Sequence, residues 1–174
     1  MNKILTGLAK MAVENYIKEE KIIDIPENLP EKIKKEMAGV FVTIEKNGDL
    51  RGCVGTPIPT KKNIVEEIIS NSISAATKDF RFGQIKEEEL PKLSYTVYIL
   101  EKLVKIVSTS ELNPKEYGII VKSLENPLKS GLLLPDLEEI KTKEEQVFFA
   151  CHKAGINIKK EPIEIYKFKA KKYK

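Results

Sequence analysis

One thiol, two guanidiniums and one carboxylate stand apart from a chain otherwise furnished with lysine and glutamate. They fall in two stretches, Leu50-Arg51-Gly52-Cys53-Val54-Gly55 and Lys78-Asp79-Phe80-Arg81-Phe82-Gly83. Arg51 and Arg81 are the only arginines among 30 basic residues. Lysine covers a wet surface as well as arginine does, but a planar fork that grips a carboxylate or phosphate requires arginine. One chemistry follows directly. Cys53 acts as a nucleophile, Arg51 favours its thiolate, and Arg81 anchors an anionic part of a substrate. A general base is missing from that set, since only Asp79 or a glutamate stands ready. A second chemistry needs no covalent step: the same residues line a cleft that binds a peptide, metabolite or nucleic acid. A third reading makes Cys53 a small buried hydrophobe and Asp79–Arg81 a self-satisfied turn.

The elements that must position these groups are legible from periodicity. Ala38 to Thr56 reads as a hairpin around Asn47-Gly48, because a two-residue turn needs positive φ at both centres. A turn of that length puts Ile44 opposite Arg51 and Val42 opposite Cys53, with all four on one face. Gly52 and Gly55 inside the strand signal a bulge or a close approach, and leave the surroundings of Cys53 uncrowded. Ile4 to Lys18 has helical spacing of apolar residues. Thr56-Pro57-Ile58-Pro59 ends the second strand, and Thr60 is placed to cap a helix from Lys61 to Thr77. That helix opens with Lys61-Lys62 against its own dipole and closes on the small residues Ser72, Ser74, Ala75 and Ala76.

Further on, Leu93 to Leu100 is apolar on both faces, as a central strand would be. Leu103–Val107, Tyr117–Val121, Ser130–Pro135 and Pro162–Phe168 read as shorter strands. Thr142 with Glu145 forms a capping box for a helix that ends at Gly155, with Cys151 on its buried side. His152 lies on the flank of that side, where packing is the commoner role. Lysines 169, 171, 172 and 174 read as a solvated tail.

Several of these stretches resemble one family. LRGCVG is similar to the LRGC(I/V)G signature of the AMMECR1 domain family. Residues 78–83 resemble its D-P-R-F motif, with Phe80 where proline is usual. Ser130–Pro135 resembles its (K/R)GLLLP segment, and Cys151–Ile156 its C-x-K-A-G motif, with His152 at the variable position. The resemblance covers nearly all of residues 1–174. It implies an α+β domain and a link to Memo-like or radical SAM proteins as partners in a modification pathway, while the family's biochemical role is open.

Length and composition bound the rest. The chain has 174 residues, 41% of them apolar, enough for one full core with room for a small second lobe. The expected fold is α+β, a single compact domain with a mixed, largely antiparallel sheet flanked by helices. Two cysteines and one histidine, without a CxxC pair, make no structural metal site. No cysteine triplet for an iron–sulfur cluster and no glycine-rich nucleotide fingerprint is present, so no cofactor is expected. No apolar run reaches membrane-spanning length, and a cytoplasmic protein is expected. Nucleic acid is a weaker partner than a small molecule or protein, because lysines alternate with glutamates and the aromatics lack the stacking pattern of RNA-reading sheets.

Overall fold

A computed structural model describes residues 1–174. The elements run α1 (Asn2–Glu19), α2 (Glu31–Lys35), β1 (Val40–Lys46), β2 (Asp49–Thr56), α3 (Ile64–Thr77), β3 (Leu93–Leu100), β4 (Val104–Lys105), β5 (Gly118–Ser123), β6 (Ser130–Leu133), α4 (Lys143–Lys153), β7 (Ile163–Phe168) and β8 (Ala170–Tyr173). A short 3₁₀ turn, Glu87–Lys92, precedes β3. The α+β class expected from the sequence is the one found. The chain forms two compact units, Met1–Leu100 with Lys171–Lys174, and Glu101–Ala170. No helix is long and apolar enough to cross a membrane.

The first unit carries a four-stranded sheet in the order β2-β1-β3-β8. β1 pairs antiparallel with β2 on one side and β3 on the other. Alternation sends Val40, Val42 and Ile44 of β1, and Tyr95 and Val97 of β3, into one face, all buried. Helices α1 and α3 cover that face with Leu5, Leu8, Val13, Ile64, Val65 and Ile68. Each fully buried aliphatic side chain stabilises by about 1.5–3 kcal/mol before chain entropy is subtracted. The lysine-rich end departs from the solvated tail expected of it. Residues 170–173 form an edge strand on this sheet, where Lys172 Nζ lies 5.8 Å from the centroid of the Tyr98 ring and Lys174 pairs with Glu45 at 2.9 Å.

The hairpin turn is the expected one: Asn47 and Gly48 both have positive φ, 53° and 95°. The register beyond it is not. Lys46 pairs with Asp49 and Glu45 with Leu50, but Ile44 then pairs with Gly52, Thr43 with Cys53 and Val42 with Val54. One extra residue on β2, around Arg51, makes a bulge. A one-residue slip exchanges faces. Gly52 therefore joins Val42 and Ile44 on the helix-covered face, while Cys53 joins Thr43 on the other.

The start of α3 also departs from expectation. The cap is Asn63, whose side chain accepts from the Glu66 N–H at 2.9 Å. Thr60 instead serves the carboxylate of Glu67, a fully buried residue of the first turn. Glu67 accepts from Thr56 Oγ1 at 2.6 Å, from the Thr60 N–H and Oγ1, and from the Lys61 N–H at 2.8 Å. Burial, the largest single influence, pushes this carboxyl up, yet its four donors together hold it below its ordinary range.

In the second unit a sheet of order β4-β7-β5-β6 packs Ile119, Val121 and Ile165 against Val147, Ala150 and Cys151 of α4. Thr142 and Glu145 make the expected capping box, and Gly155 the expected left-handed exit at φ 64°.

Candidate functional site

Strand β2 lies at the edge of its sheet, so the backbone groups of Cys53 that point away from β1 need partners from elsewhere. The stretch after α3 supplies them. Asp79, buried at 5% exposure, accepts the Cys53 N–H on Oδ2 at 2.8 Å. The Nη2 of Arg81 reaches the Cys53 carbonyl at 3.5 Å. Asp79 and Arg81 are themselves forked together, Nε to Oδ1 at 2.9 Å and Nη2 to Oδ2 at 2.7 Å. The pair offers the strand one acceptor and one donor, as a neighbouring strand would.

The strand reciprocates through Arg51. Its Nε and Nη2 fork onto Glu89 at 2.9 Å each, and its Nη1 and Nη2 donate to the carbonyls of Gly83 and Gln84 at 3.1 Å. Glu89 also accepts from Lys46 Nζ and the Lys86 N–H. Residues 79–84 are thus pinned at both ends to one strand edge. Both arginine forks hold the protein's own carboxylates.

The electrostatics follow. Hydrogen bonds from Arg81, ahead of the opposing effect of burial, hold the Asp79 carboxyl down at about 2. Arg51, again against burial, keeps Glu89 far below the usual carboxylate range. Arg81 is raised by its Asp79 bonds, with a smaller contribution from charge on Cys53. Because both carboxyls titrate lower in the folded chain than in the unfolded one, their stabilisation is complete above about pH 4, the ordinary carboxylate range. The Asp79 share is lost as pH falls toward about 2, and the Glu89 share persists further. Acid titration of unfolding should show this directly: Asp79→Asn should flatten the slope between pH 4 and pH 2, a range set by the two Asp79 values. An unchanged slope would remove Asp79 from the account.

Cys53 itself is half-buried, and its thiol has one hydrogen-bond partner, Thr43 Oγ1 at 3.3 Å. Of the two guanidiniums, Arg81 is the one that reaches Cys53, at its backbone carbonyl, while Arg51 is committed to Glu89 and the two carbonyls. The glycines around the thiol answer to packing. A Cβ on Gly52 would overlap the Ala75 carbonyl oxygen of α3, and one on Gly55 would run into the Phe41 ring. Cys151 is buried in the core of the second unit, its thiol pushed up by burial and, to a smaller degree, by Glu161. His152 stacks on Phe148 at 6.3 Å.

Two partners escaped sequence reasoning. Glu89 is one of three consecutive glutamates, and nothing local separates it from Glu87 or Glu88. Glu67 did leave a signal, an acid directly between the buried positions Ile64 and Ile68.

What the pinned loop displays is unusual. Phe80 is 96% exposed, Phe82 is 37% exposed, and Arg81 stacks its guanidinium 5.1 Å from the Phe82 ring centroid. The Nη1 side of Arg81 has no protein partner.

Comparison with known proteins gives consistent results. The AMMECR1 family model matches residues 6–173. A protein from Thermotoga maritima is 44% identical over 163 residues, covering 93% of this chain and 92% of its own length. Protein CA_C1420 of Clostridium acetobutylicum is 40% identical over 168 residues, but the chain spans only 35% of that relative. The crystal structure of the uncharacterized protein PH0010 from Pyrococcus horikoshii superposes with a TM-score of 0.90 at 32% identity, covering 98% of this chain and 89% of that one.

Proposed function

Since the chain belongs to the AMMECR1 family, we propose that it works as a noncatalytic recognition module, docking a partner protein through residues 79–83. The observation that carries this is a fully exposed phenylalanine on a loop tied down at both ends. An aromatic at 96% exposure would ordinarily be folded under or left on a mobile tip. Here Phe80 stands beside a half-free arginine on backbone that is already ordered, so docking would carry little ordering entropy. Aromatic and arginine side chains are the types that dominate interface energetics. The complementary partner offers an apolar pocket for Phe80 and a carboxylate for the open Nη1 side of Arg81.

The modification pathway suggested by the family resemblance supplies the first partners to try, Memo-like and radical SAM proteins of the same cytoplasm. The expected result is that Phe80→Ala weakens such a complex by roughly 30-fold, a hot-spot effect of about 2 kcal/mol. Its thermal unfolding should not change, because the ring packs on nothing. Calorimetric titration of the two purified proteins and a melting curve check both halves. Equal affinity of wild type and Phe80→Ala would sink the proposal.

A second reading keeps Cys53 as a nucleophile, and its half-buried position against the Asp79–Arg81 fork favours it. The two readings separate cleanly on Cys53→Ser. A docking module retains its partner affinity and its biological activity in that variant; an enzyme retains the first and loses the second.

A further inference from the structure

Helix α4 carries an apolar patch on the side turned away from the core of its own unit. Val147, Ala150 and Cys151 fill its inner stripe, while Phe148 and Phe149 on the outer face are 54% and 43% exposed. The two rings meet edge to face at 5.4 Å, and the exposed His152 stacks on Phe148. A surface helix ordinarily turns a polar face outward. Here three neighbouring rings pack on one another and stay open to solvent.

The polar groups flanking this patch run in a fixed order. The first turn supplies Glu144 and Glu145, the last turn His152 and Lys153. Lys143 falls outside the series: it lies three and four residues before the buried Gln146 and Val147, on the inner flank. Glu145 spends only Oε2 on the helix cap, and Lys153 spends one proton on the Leu132 carbonyl at 3.1 Å. Glu144 is met by Lys143 only at 4.0 Å. Acid first and base last suits any helix dipole. An aromatic pair midway between the two ends makes the face complementary to itself. A reversed copy, laid on it about a twofold axis between Phe148 and Phe149, sets Glu144 against the partner's Lys153. The same operation sets Glu145 against the partner's His152 and Phe148 against the partner's Phe149, each contact occurring twice.

We propose that this face pairs two copies of the chain through antiparallel α4 helices. The four phenylalanines form the centre of the contact, and the acid–base contacts close it at both ends. An anionic membrane surface fits less well, because Glu144 and Glu145 flank the rings. The helix has 11 residues and is about 16 Å long, so the contact is smaller than the roughly 1,200 Å² of stable interfaces. The pairing is therefore weak and reversible. It is separate from the loop at residues 79–83 and does not depend on how that loop is used.

Sedimentation velocity of the whole chain over a concentration series tests the pairing. A monomer–dimer equilibrium with Kd of about 10–100 μM is expected. The double substitution Phe148→Ala with Phe149→Ala should weaken it at least about tenfold, and circular dichroism checks that this variant is folded. The decisive arm uses charge. Glu144→Lys alone and Lys153→Glu alone each set like charges opposite one another twice, and each should weaken self-association about tenfold. An equimolar mixture of those two variants restores opposite charges at both contacts, so it should pair about as well as wild type. A chain that stays monomeric up to about 1 mM, some tenfold above the weakest expected Kd, overturns the proposal and leaves the face to a different protein. Dimers that survive loss of both phenylalanines place the contact elsewhere and overturn it too. So does a mixture no more associated than its two components.

Discussion

Arg51→Ala should lower the unfolding free energy by roughly 3 kcal/mol, the lower part of the range for breaking a buried ion pair. The pair is mostly but not fully buried: the two side chains are 14% and 11% exposed. The substitution removes four hydrogen bonds at once, two to Glu89 and one each to the Gly83 and Gln84 carbonyls. Glu89 keeps Lys46 and the Lys86 N–H, which is why the upper part of the range is not expected. Arg51→Lys should recover less than half of the loss, because an ammonium cannot span both carboxylate oxygens and two carbonyls from one plane. Denaturant unfolding measures the free energies, and hydrogen exchange should show faster opening of residues 83–90 in the alanine variant. A loss below about 1 kcal/mol would be the value of an exposed pair and would mean that pinning residues 79–84 to β2 contributes little.

Gly52→Ala should be more damaging, abolishing cooperative folding or costing more than about 4 kcal/mol. A Cβ there would overlap the Ala75 carbonyl oxygen and lie 3.1 Å from its carbon, so the obstacle is helix backbone with no rotamer to change. Relief requires moving α3 off the sheet, and α3 carries Ile64, Val65, Ile68 and Ile69 into the core. Gly7→Ala provides the contrast within the same unit. Gly7 lies inside α1 with nothing within 4 Å of the added methyl, so it should gain up to about 1 kcal/mol from helix propensity. Parallel melting curves of the two variants distinguish steric clash from a general sensitivity to alanine. A folded, near-normal Gly52→Ala would mean that the strand and α3 can part to admit the methyl at little cost.

Much of this architecture was legible in the sequence because it depends on local periodicity. The 3.6-residue stripe of α1, the alternation of β1, the Asn47-Gly48 turn and the Thr142–Glu145 cap each rest on residues a few positions apart. Composition alone sets Arg51 and Arg81 apart, and both are used as forks, each on one of the protein's own carboxylates. Who they fork with was not legible. Glu89 is 38 positions from Arg51 and looks like its neighbours, while the Asp79–Cys53 bond joins a loop to a strand edge that exists only once β2 has no partner on that side.

The sequence by itself determined most of the segments that become helices and strands, though not β8 or the first turn of α3, together with where the hairpin turns and which residues are too specialised for a wet surface. Tertiary structure decided which way those residues face. One extra residue at the bulge turned Gly52 inward against α3 and Cys53 outward beside Thr43. That choice is beyond local patterning, because a bulge is placed by whether a strand can approach a helix carbonyl. The glycine that permits the approach announces only that something comes close.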